Sequence, residues 1–460
     1  MGKIRKALDI DICGGLTDEV TTWAGVSLLV ELFRRVGVGE VADKVLAKKR
    51  SPKGLSQGQM VESFVLLSAL GGECVDDVEH LRGDMGLEVI TGHEIPAAST
   101  ARQWLDRFHQ EELLAERPLQ GSFIPSESVG LSGLRETLRR VIQTYVGVVK
   151  PGDEVTLDVD AHLVESAKET ALWTYEGYRG YQPMVVQWAE TGLILADEFR
   201  DGNVPASSGI ARMVDEAFDA LPQREWKVRV RSDSAAYEHK ILDHWHNRGW
   251  EFAVSADMSP QLREAIVAVP EEEWQYWKTE KRGLIREWAE VVYAPSLRVE
   301  SKEAPLYRYL AIRVRKEQGE LFADGGSVRH YAVVTNRWEE GGQALLGWQR
   351  GKAGTIEHAH HVLVNELAAG VYPSSKFGAN AAWLRLQVLT HNLLEMLKVT
   401  ALPEKYRKAR PKKLRFAVFT QFGRVIRHAG RTMLRVVTVG FEELIKPGRK
   451  CLRDLMPLTG

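Results

Sequence analysis

The sequence is poor in cysteine and has no long apolar run, and both absences restrict the class of protein. Its three cysteines, Cys13, Cys74 and Cys451, lie far apart and form no CxxC pair. A disulfide framework and a cysteine zinc site are therefore not expected, and a reducing cytoplasm fits. No stretch reaches the roughly 18 uncharged apolar residues of a membrane helix. No apolar run typical of a signal peptide follows Met1–Lys6, so we expect no membrane association.

Acidic residues are absent from one long stretch, although the formal net charge of the chain is only −1. Between Lys405 and Arg435 there is no Asp or Glu. We call this stretch the basic block, and its cations are Lys405, Arg407, Lys408, Arg410, Lys412, Lys413, Arg415, Arg424, Arg427, Arg431 and Arg435. Such a block suits a phosphate backbone. The alternative is a basic tail that only keeps the protein soluble.

A chain of 460 residues is too long for one ordinary hydrophobic core, so its length predicts about two to four domains. Apolar positions at helical spacing in Val26–Val36 and Gly58–Leu70 indicate that the first part of the chain is helical. Ile95–Phe108 resembles the second helix of a helix-turn-helix, with Arg102 and Arg107 exposed. We expect this region to bind DNA, and plain packing of the helix is the alternative.

Strand-like alternation begins after Pro151–Asp153. The predicted order is strands at 155–162, 184–189 and 193–199, a helix at 206–221, a strand at 228–232, a helix at 236–248 and a strand at 252–255. This is the order of a ribonuclease H-like core, although other mixed sheets share it. A helix across 340–367, interrupted near Gly351 and Gly354, follows a further strand at 331–336.

The predicted fold is multidomain α+β, a ribonuclease H-like mixed α/β core interrupted by a β-rich insertion. The predicted domains are a helical N-terminal DNA-binding domain (1–150), the first part of the core (151–258), the insertion (259–328), the second part of the core (329–400) and a helical, basic C-terminal region (401–460).

Three acids are candidates for the chemistry. Asp158 and Asp160 alternate on one strand and share a face, where two carboxylates repel unless a cation or hydrogen bonds compensate. Asp233 ends an alternating strand, where ligands gather in open sheets, although an Asp at this position also caps the next helix. Glu357 is one glutamate of a helical segment, and Glu366 is its competitor.

Together these residues resemble the DDE insertion-sequence transposases, in particular the cut-and-paste group whose ribonuclease H-like core carries a β-rich insertion before the last acid. The matching segments are Leu157–Ser166, Thr174–Pro183, Arg231–Tyr237, Gly354–His358, Phe377–Leu386 and Asn392–Leu394. The resemblance implies that Asp160, Asp233 and Glu357 are the catalytic, metal-binding trio, with Asp158 as the alternative first acid.

The chain departs from this group around the last acid. Related transposases often place Tyr, Arg and Lys at seven and four residues before and seven after the glutamate, where this chain has Arg350, Ala353 and Val364. We expect Arg350 and Lys352 to take over their phosphate-binding role. The predicted DNA-binding residues are therefore Arg102, Arg107, Arg350, Lys352, Lys412, Lys413 and Arg415.

The resemblance implies a bacterial enzyme of the cytoplasm and nucleoid that binds terminal inverted repeats, cleaves DNA and joins the 3′-hydroxyl ends to target DNA. Hard carboxylate ligands suit Mg²⁺ or Mn²⁺, and two such ions about 3.5–4 Å apart serve phosphoryl transfer. Cutting two ends together implies a homodimer on double-stranded DNA. In many members the second strand is freed through a DNA hairpin and a tryptophan of the insertion holds a flipped base. Trp274, Trp277 and Trp288 are candidates here, and core packing is the alternative.

Other functions remain open on the sequence. One is a transposase-derived DNA-binding protein that has lost catalysis, and another is a ribonuclease H-like nuclease without strand transfer. A zinc hydrolase is disfavoured, because His358, His360 and His361 follow Glu357 without the spacing of a HExxH motif.

Overall fold

The computed structural model describes residues 19–47, 53–118, 120–280, 283–295, 304–316 and 327–456. Helices surround a large mixed sheet in this part of the chain. The helices are α1 (Ser27–Arg35), α2 (Val38–Val45), α3 (Gln57–Leu70), α4 (Val78–Arg82), α5 (Met85–Thr91), α6 (Ala98–Asp106), α7 (Val129–Val149), α8 (Ile210–Asp219), α9 (His239–Asn247), α10 (Pro260–Val267), α11 (Gly342–Arg350), α12 (Ile356–Glu366), α13 (Phe377–Thr400), α14 (Pro411–Leu414) and α15 (Glu442–Leu455). None of these helices combines the length and apolarity needed to span a bilayer.

Nine strands form the main sheet. The strands of the described chain are β1 (Val20–Thr21), β2 (Glu154–Ala161), β3 (Val164–Glu165), β4 (Leu172–Trp173), β5 (Arg179–Tyr181), β6 (Met184–Trp188), β7 (Leu193–Glu198), β8 (Lys227–Ser232), β9 (Glu251–Ala256), β10 (Gln275–Glu280), β11 (Leu284–Val291), β12 (Arg308–Lys316), β13 (Val328–Thr335), β14 (Gly423–His428) and β15 (Arg431–Val436). The order in the main sheet is β10-β11-β12-β13-β9-β8-β2-β6-β7. At its centre β2, β8 and β9 are parallel, whereas β6 and β7 form an antiparallel hairpin beside β2.

The strands predicted between residues 155 and 255 are all present as β2, β6, β7, β8 and β9. The predicted helices at 206–221 and 236–248 are both shorter than expected. Gly209 adopts a left-handed conformation just before α8, and Asp233 caps a separate short turn before α9. The predicted interruption of the helix across 340–367 is confirmed, because residues 351–354 form a short 3₁₀ turn between α11 and α12.

The segment predicted as an insertion, 259–328, supplies β10, β11 and β12. These strands extend the main sheet, because β12 pairs with β13 and β13 pairs with β9. Residues 281–282, 296–303 and 317–326 of this segment lie outside the described chain. The buried side chains Trp288, Leu310 and Ile312 of β11 and β12 pack in a small apolar cluster with Leu345 of α11.

Helix α13 is buried along almost its whole length between the N-terminal helices and the sheet. Such enclosure explains why its sequence is apolar on nearly every side. The Asn392 side chain donates to the carbonyl oxygen of Ile194 (2.7 Å) and accepts from the N–H of the same residue (2.8 Å). Arg385 pairs with Asp197 across the same interface (3.0 Å). These polar contacts fix α13 against β7 at one register.

The prediction of a helical C-terminal region is wrong for residues 423–436, which form the hairpin β14–β15. Strand β14 also pairs with β1, so the predicted N-terminal domain is not wholly helical either. Ala429 and Gly430 both have positive φ (49° and 71°), which suits the tight two-residue turn of a hairpin. Gly423 and Val425 are buried whereas Arg424 is exposed, and this alternation of a strand lies hidden among the arginines.

Candidate active site

Two of the predicted acids lie at the same edge of the sheet. Asp160 is close to the carboxyl end of β2, and Asp233 directly follows β8, its parallel neighbour. The register pairs Asp158 with Arg231, so two residues further along each strand bring Asp160 beside Asp233. Neighbouring strands lie about 4.8 Å apart. The carboxyl ends of β2 and β8 therefore hold both acids at the position where open sheets bind ligands.

Asp158 is fully buried and its carboxylate is occupied by internal partners. Arg231 donates to both of its oxygens, at 2.6 and 2.7 Å, and the hydroxyl of Thr355 donates to it as well. Arg231 also donates to the carbonyl oxygen of Trp348 (2.5 Å). This network, which we call the brace, ties β2 and β8 to the connection between α11 and α12. Asp160 is thus the acid of β2 that remains partly exposed.

Glu357 and Asp233 line one open cavity of about 300 Å³. Glu357 stands in the first turn of α12 and is exposed, as is Asp233. Arg350 and Lys352 line the same cavity, so two carboxylates face two cations there. Thr355 belongs to the brace and is the N-cap residue of α12. The brace thereby holds the start of α12, and with it Glu357, against β2.

Lys352 connects Asp160 to this cavity. Its ammonium donates to Oδ1 of Asp160 (2.9 Å), and the lysine is buried. On the other side of the carboxylate, Nε2 of His360 lies 3.5 Å from Oδ2. His360 also stacks on His162, with 5.2 Å between ring centroids. Asp160 is therefore enclosed by one cation and a histidine pair.

The two histidines beside Asp160 are neutral at neutral pH. Burial, reinforced by His162 and Lys352, lowers the pKa of His360 to about 3. Burial also lowers the pKa of His162, although the charge of Asp160 opposes this effect. The other histidines that follow Glu357, His358 and His361, are exposed. The histidines after Glu357, which suggest a zinc site in the sequence, therefore do not point to one place.

The three acids are ligands of a type that suits a divalent ion, but their side chains are not already arranged around one. Among the residues that the structure describes, no three acids, histidines or cysteines form a cluster able to hold a metal ion. Carboxylate oxygens are the hard donors that Mg²⁺ prefers. Like-charged carboxylates repel when no cation lies between them, and Lys352 supplies the positive charge that Asp160 faces. The carboxylates of Asp160, Asp233 and Glu357 are donors of the kind that such an ion takes.

Glu366, the competitor for the last acid, has a structural role. Its buried carboxylate accepts from the backbone N–H of Lys412 (2.8 Å) and lies 2.9 Å from Nε of Arg410. Both partners belong to the basic block. Glu366 therefore joins the end of α12 to that block, and it is not free to turn toward Asp233.

A second cavity of about 360 Å³ adjoins the first, and the two share Tyr331 and Arg350. Arg286 and Arg329 also line it. Burial and the neighbouring Arg286 lower the pKa of Arg350, which forms no ion pair with an acid of the described residues. A guanidinium remains charged in proteins. Three guanidinium groups therefore line the second cavity, of which that of Arg286 is paired with Glu280 (2.7 Å).

The three tryptophans of the insertion occupy different surroundings. Trp288 is buried, and its ring packs directly on Gly342. Trp274 is half-buried beneath Arg313, whose guanidinium lies 4.4 Å from the ring centroid. Trp277 is also half-buried and lies 5.6 Å from the guanidinium of Arg350. Of the three, Trp277 is the one that lies beside Arg350, a residue that lines both cavities.

Two further predicted DNA contacts lie on or after α6. Arg102 is exposed and paired with Asp76. Arg107 is exposed just after the helix, and it has no acidic partner among the described residues. Both are outside the lining of the acid-containing cavity.

The predicted contacts of the basic block divide into two kinds. Lys412 and Lys413 are exposed on α14. Arg415 points inward instead, where Nε donates to the carbonyl oxygen of Ala69 (2.9 Å) and the guanidinium donates to that of Glu366. In this structure Arg415 anchors the block to α3 and α12, whereas the two lysines face solvent.

The brace was not expected from the sequence. Arg231 lies two residues before Asp233 in the same alternating strand, which was the one available signal for a cation on that face. Thr355 gave none. To predict that either residue contacts Asp158, one must know the register between β2 and β8, and the spacing of residues along the chain does not give it.

Comparison with known proteins identifies a family across nearly the whole chain. Residues 5–443 match the family model described as transposase DDE domain group 1. The cryo-EM structure of a piggyBac transposase synaptic complex with hairpin DNA is similar at a TM-score of 0.41 and 9% identity, over 85% of this chain and 78% of that one. No curated protein matches the chain. The family model is therefore what identifies it.

Proposed function

The chain belongs to the transposases with a DDE domain, and from this premise we propose that it cuts DNA at transposon ends and joins the freed 3′-hydroxyls to target DNA. Asp160, Asp233 and Glu357 are the proposed catalytic and metal-binding residues. One observation carries the proposal: Asp233 and Glu357 line a single cavity, and Lys352 of the same cavity binds Asp160.

The sheet order supports a ribonuclease H-like core. The antiparallel hairpin β6–β7 lies on one side of β2, and the parallel strands β8 and β9 lie on the other. In this assignment the core comprises residues 151–258 and 329–400, and residues 259–328 are the β-rich insertion. Residues 1–150 and the basic region 401–460 would both contact DNA.

Asp160, Asp233 and Glu357 would hold Mg²⁺ or Mn²⁺. When bound, such ions activate the attacking hydroxyl and neutralise charge on the leaving oxygen. The other residues act on the DNA and on the trio. Lys352 orients Asp160 before substrate arrives, and the brace keeps α12 at a fixed distance from β2. Both Asp233 and Glu357 are exposed. Oδ1 of Asp233 accepts from the N–H of Ala235 (3.1 Å), so its other oxygen and the carboxylate of Glu357 would serve as ligands.

Arg350 and Lys352 would neutralise the phosphate that is cut. Arg350 has no acidic partner among the described residues, so its charge is available to a ligand. From there the second cavity, with Arg286 and Arg329, offers a path for the strand that leaves the acids. Trp277 beside Arg350 is the proposed tryptophan for stacking a base.

Cutting two ends in concert suits a homodimer assembled on the two terminal inverted repeats. An assay that follows binding, cutting and joining on the inverted repeats that flank the gene tests the proposal. We expect Asp160→Ala, Asp233→Ala and Glu357→Ala each to abolish strand cleavage in Mg²⁺ or Mn²⁺ while the repeats stay bound. Persistent cleavage by Asp233→Ala would exclude the trio.

Precut ends distinguish the proposed function from its alternatives. A transposase joins a precut 3′-hydroxyl end to a plasmid target. Hydrolysis without a joined product would instead indicate a nuclease. Binding of the repeats with neither cutting nor joining would indicate a DNA-binding protein that has lost catalysis.

A further inference from the structure

Phe416 is a large apolar side chain that remains in solvent within the basic block. It is 78% exposed, and Nζ of Lys413 lies 5.7 Å from its ring centroid. Lys412 and Lys413 are exposed and form no ion pair with an acid of the described residues. A single exposed apolar residue is common on protein surfaces, but an aromatic ring among unneutralised cations matches the wedge residues of proteins that kink DNA.

The backbone that presents Phe416 is firmly held. Arg415, the preceding residue, is anchored on the carbonyl oxygens of Ala69 and Glu366. One turn earlier, Arg410 and the N–H of Lys412 bind the carboxylate of Glu366. Residues 415–419 are wound as a π-helix, a feature frequent at functional sites. The ring is therefore presented on a fixed support, as a wedge must be to unstack bases.

This support is connected to the candidate active site by one helix. Glu357 is the second residue of α12 and Glu366 is its last, and the nine residue steps between them rise about 14 Å. DNA that contacts both Glu357 and the basic block would therefore run past α12.

We propose that Phe416 enters a base step of duplex DNA bound on the basic block, to one side of the phosphate that is cut, and kinks the duplex. Lys412 and Lys413 hold the backbone on either side of the opened step. The position of the kink relative to the cut rests on the function proposed above, whereas the insertion itself depends only on the binding of DNA.

Another exposed aromatic of the chain provides a matched control. Tyr175, between β4 and β5, is 77% exposed. It stands next to Glu176, whose negative charge disfavours a phosphate backbone. Tyr175→Ala removes as much exposed aromatic surface as Phe416→Ala, but it does so outside the basic block.

Bending is measured by energy transfer between fluorophores at the two ends of a short duplex that carries the flanking inverted repeat. EDTA is present, so binding is followed without cutting. We expect wild type and Tyr175→Ala to raise the transfer efficiency, because a wedge bends DNA by about 20–90°. Phe416→Ala should lose most of this rise in transfer efficiency, and its Kd for the duplex should increase by about threefold to tenfold. Phe416→Leu, which retains an apolar wedge, should keep it.

Equal bending by Phe416→Ala and wild type would overturn the proposal. If the sedimentation coefficient of Phe416→Ala is also lower, the ring is a contact between subunits. Matching melting temperatures of the variants establish that they fold. Failure of the proposed function is seen separately. A protein that bends DNA in EDTA but never cuts it in Mg²⁺ would support the insertion of Phe416 and contradict the proposed cutting of DNA.

Discussion

Asp158 and Asp160 stand two residues apart on β2 and differ in what surrounds them. Arg231 and Thr355 occupy the oxygens of Asp158, which has no exposed surface. Asp160 is partly exposed and contacts Lys352 at the edge of the cavity. Alternation along the strand predicted that both side chains share a face. It could not distinguish their partners, because those come from residues more than 70 positions away.

Substitution of each aspartate by asparagine should separate the two roles. Asp158→Asn leaves Arg231 buried without its charge partner, and breaking such a pair costs about 3–5 kcal/mol. Asp160→Asn weakens the bond to Lys352, which is buried but borders the open cavity, and should cost less, about 1–3 kcal/mol. We expect the larger fall of the urea midpoint for Asp158→Asn, and a smaller fall with no strand cleavage for Asp160→Asn. Equal midpoints would contradict the structural role of Asp158.

Asp201 predicts a pH dependence of stability. Burial raises its pKa to about 6, although Arg117, which donates to it at 2.6 Å, opposes the shift. Between the ordinary value of 3.8 and about 6, the folded protein binds a proton that the unfolded chain lacks. Stability due to this group is therefore present at low pH and is lost as pH rises through that window, by about 3 kcal/mol in all.

The reference for this measurement is Asp201→Asn, which cannot titrate. The difference in free energy of unfolding, wild type minus variant, should fall between about pH 4 and pH 6 and then level off. A difference that stays constant over this range would show that Asp201 has an ordinary pKa.

At the scale of elements, close contacts between helices depend on glycine. A Cβ on Gly58 of α3 would lie 2.5 Å from the carbonyl oxygen of Gly39 in α2. That distance is too short for any side chain, so the two helices would have to move apart. Gly147 of α7 has no atom within 4 Å of the same position. The two helical glycines thus differ only in what faces them.

Alanine at each of these glycines should have opposite effects. Gly58→Ala forces backbone shifts of the kind that cost about 1–3 kcal/mol. Gly147→Ala should stabilise the protein by about 0.5–1 kcal/mol, because alanine loses less conformational freedom in a helix. Thermal unfolding checks both. Destabilisation by Gly147→Ala would show that a general intolerance of α7, rather than a clash, governs such substitutions.

Local patterns gave most elements but not the C-terminal hairpin. Alternation was clear in β2 and β8, because buried apolar residues occupy every second position there and polar residues lie between them. In β14, Val425 is the inward apolar residue, and Arg424 and Arg427 flank Val425 and Ile426, so charge concealed the period of two. The extension of the main sheet by β10–β12 also could not be read locally, since it depends on pairing of β13 with β9 over some 80 residues.

For the whole molecule, the near-zero net charge conceals a separation of charges that should govern DNA binding. If the basic block contacts phosphates, the logarithm of the affinity falls linearly with the logarithm of the salt concentration. Lys412→Ala with Lys413→Ala should reduce that slope by about 1.8, because each phosphate that is no longer neutralised lowers it by about 0.9. Fluorescence anisotropy over a salt series measures it.

Lys450→Ala is the control for this slope. Lys450 is exposed on α15 and paired with Asp454 (2.6 Å), so its charge is already balanced. We expect its slope to equal that of wild type. An unchanged slope in the double lysine variant would leave the block a solubility feature. The family was recognisable from the order of motifs along the chain, whereas the brace and the double cavity needed the fold.

The claim that Asp160, Asp233 and Glu357 surround one metal site is tested most directly by replacing Mg²⁺ with Fe²⁺ in the presence of ascorbate. Bound Fe²⁺ generates hydroxyl radicals that cut the polypeptide where it approaches the ion. We predict cuts near residues 160, 233 and 357 together, suppressed by excess Mg²⁺ and absent in Asp233→Asn. Cuts at only one of these positions, or an unchanged pattern in Asp233→Asn, would contradict the account.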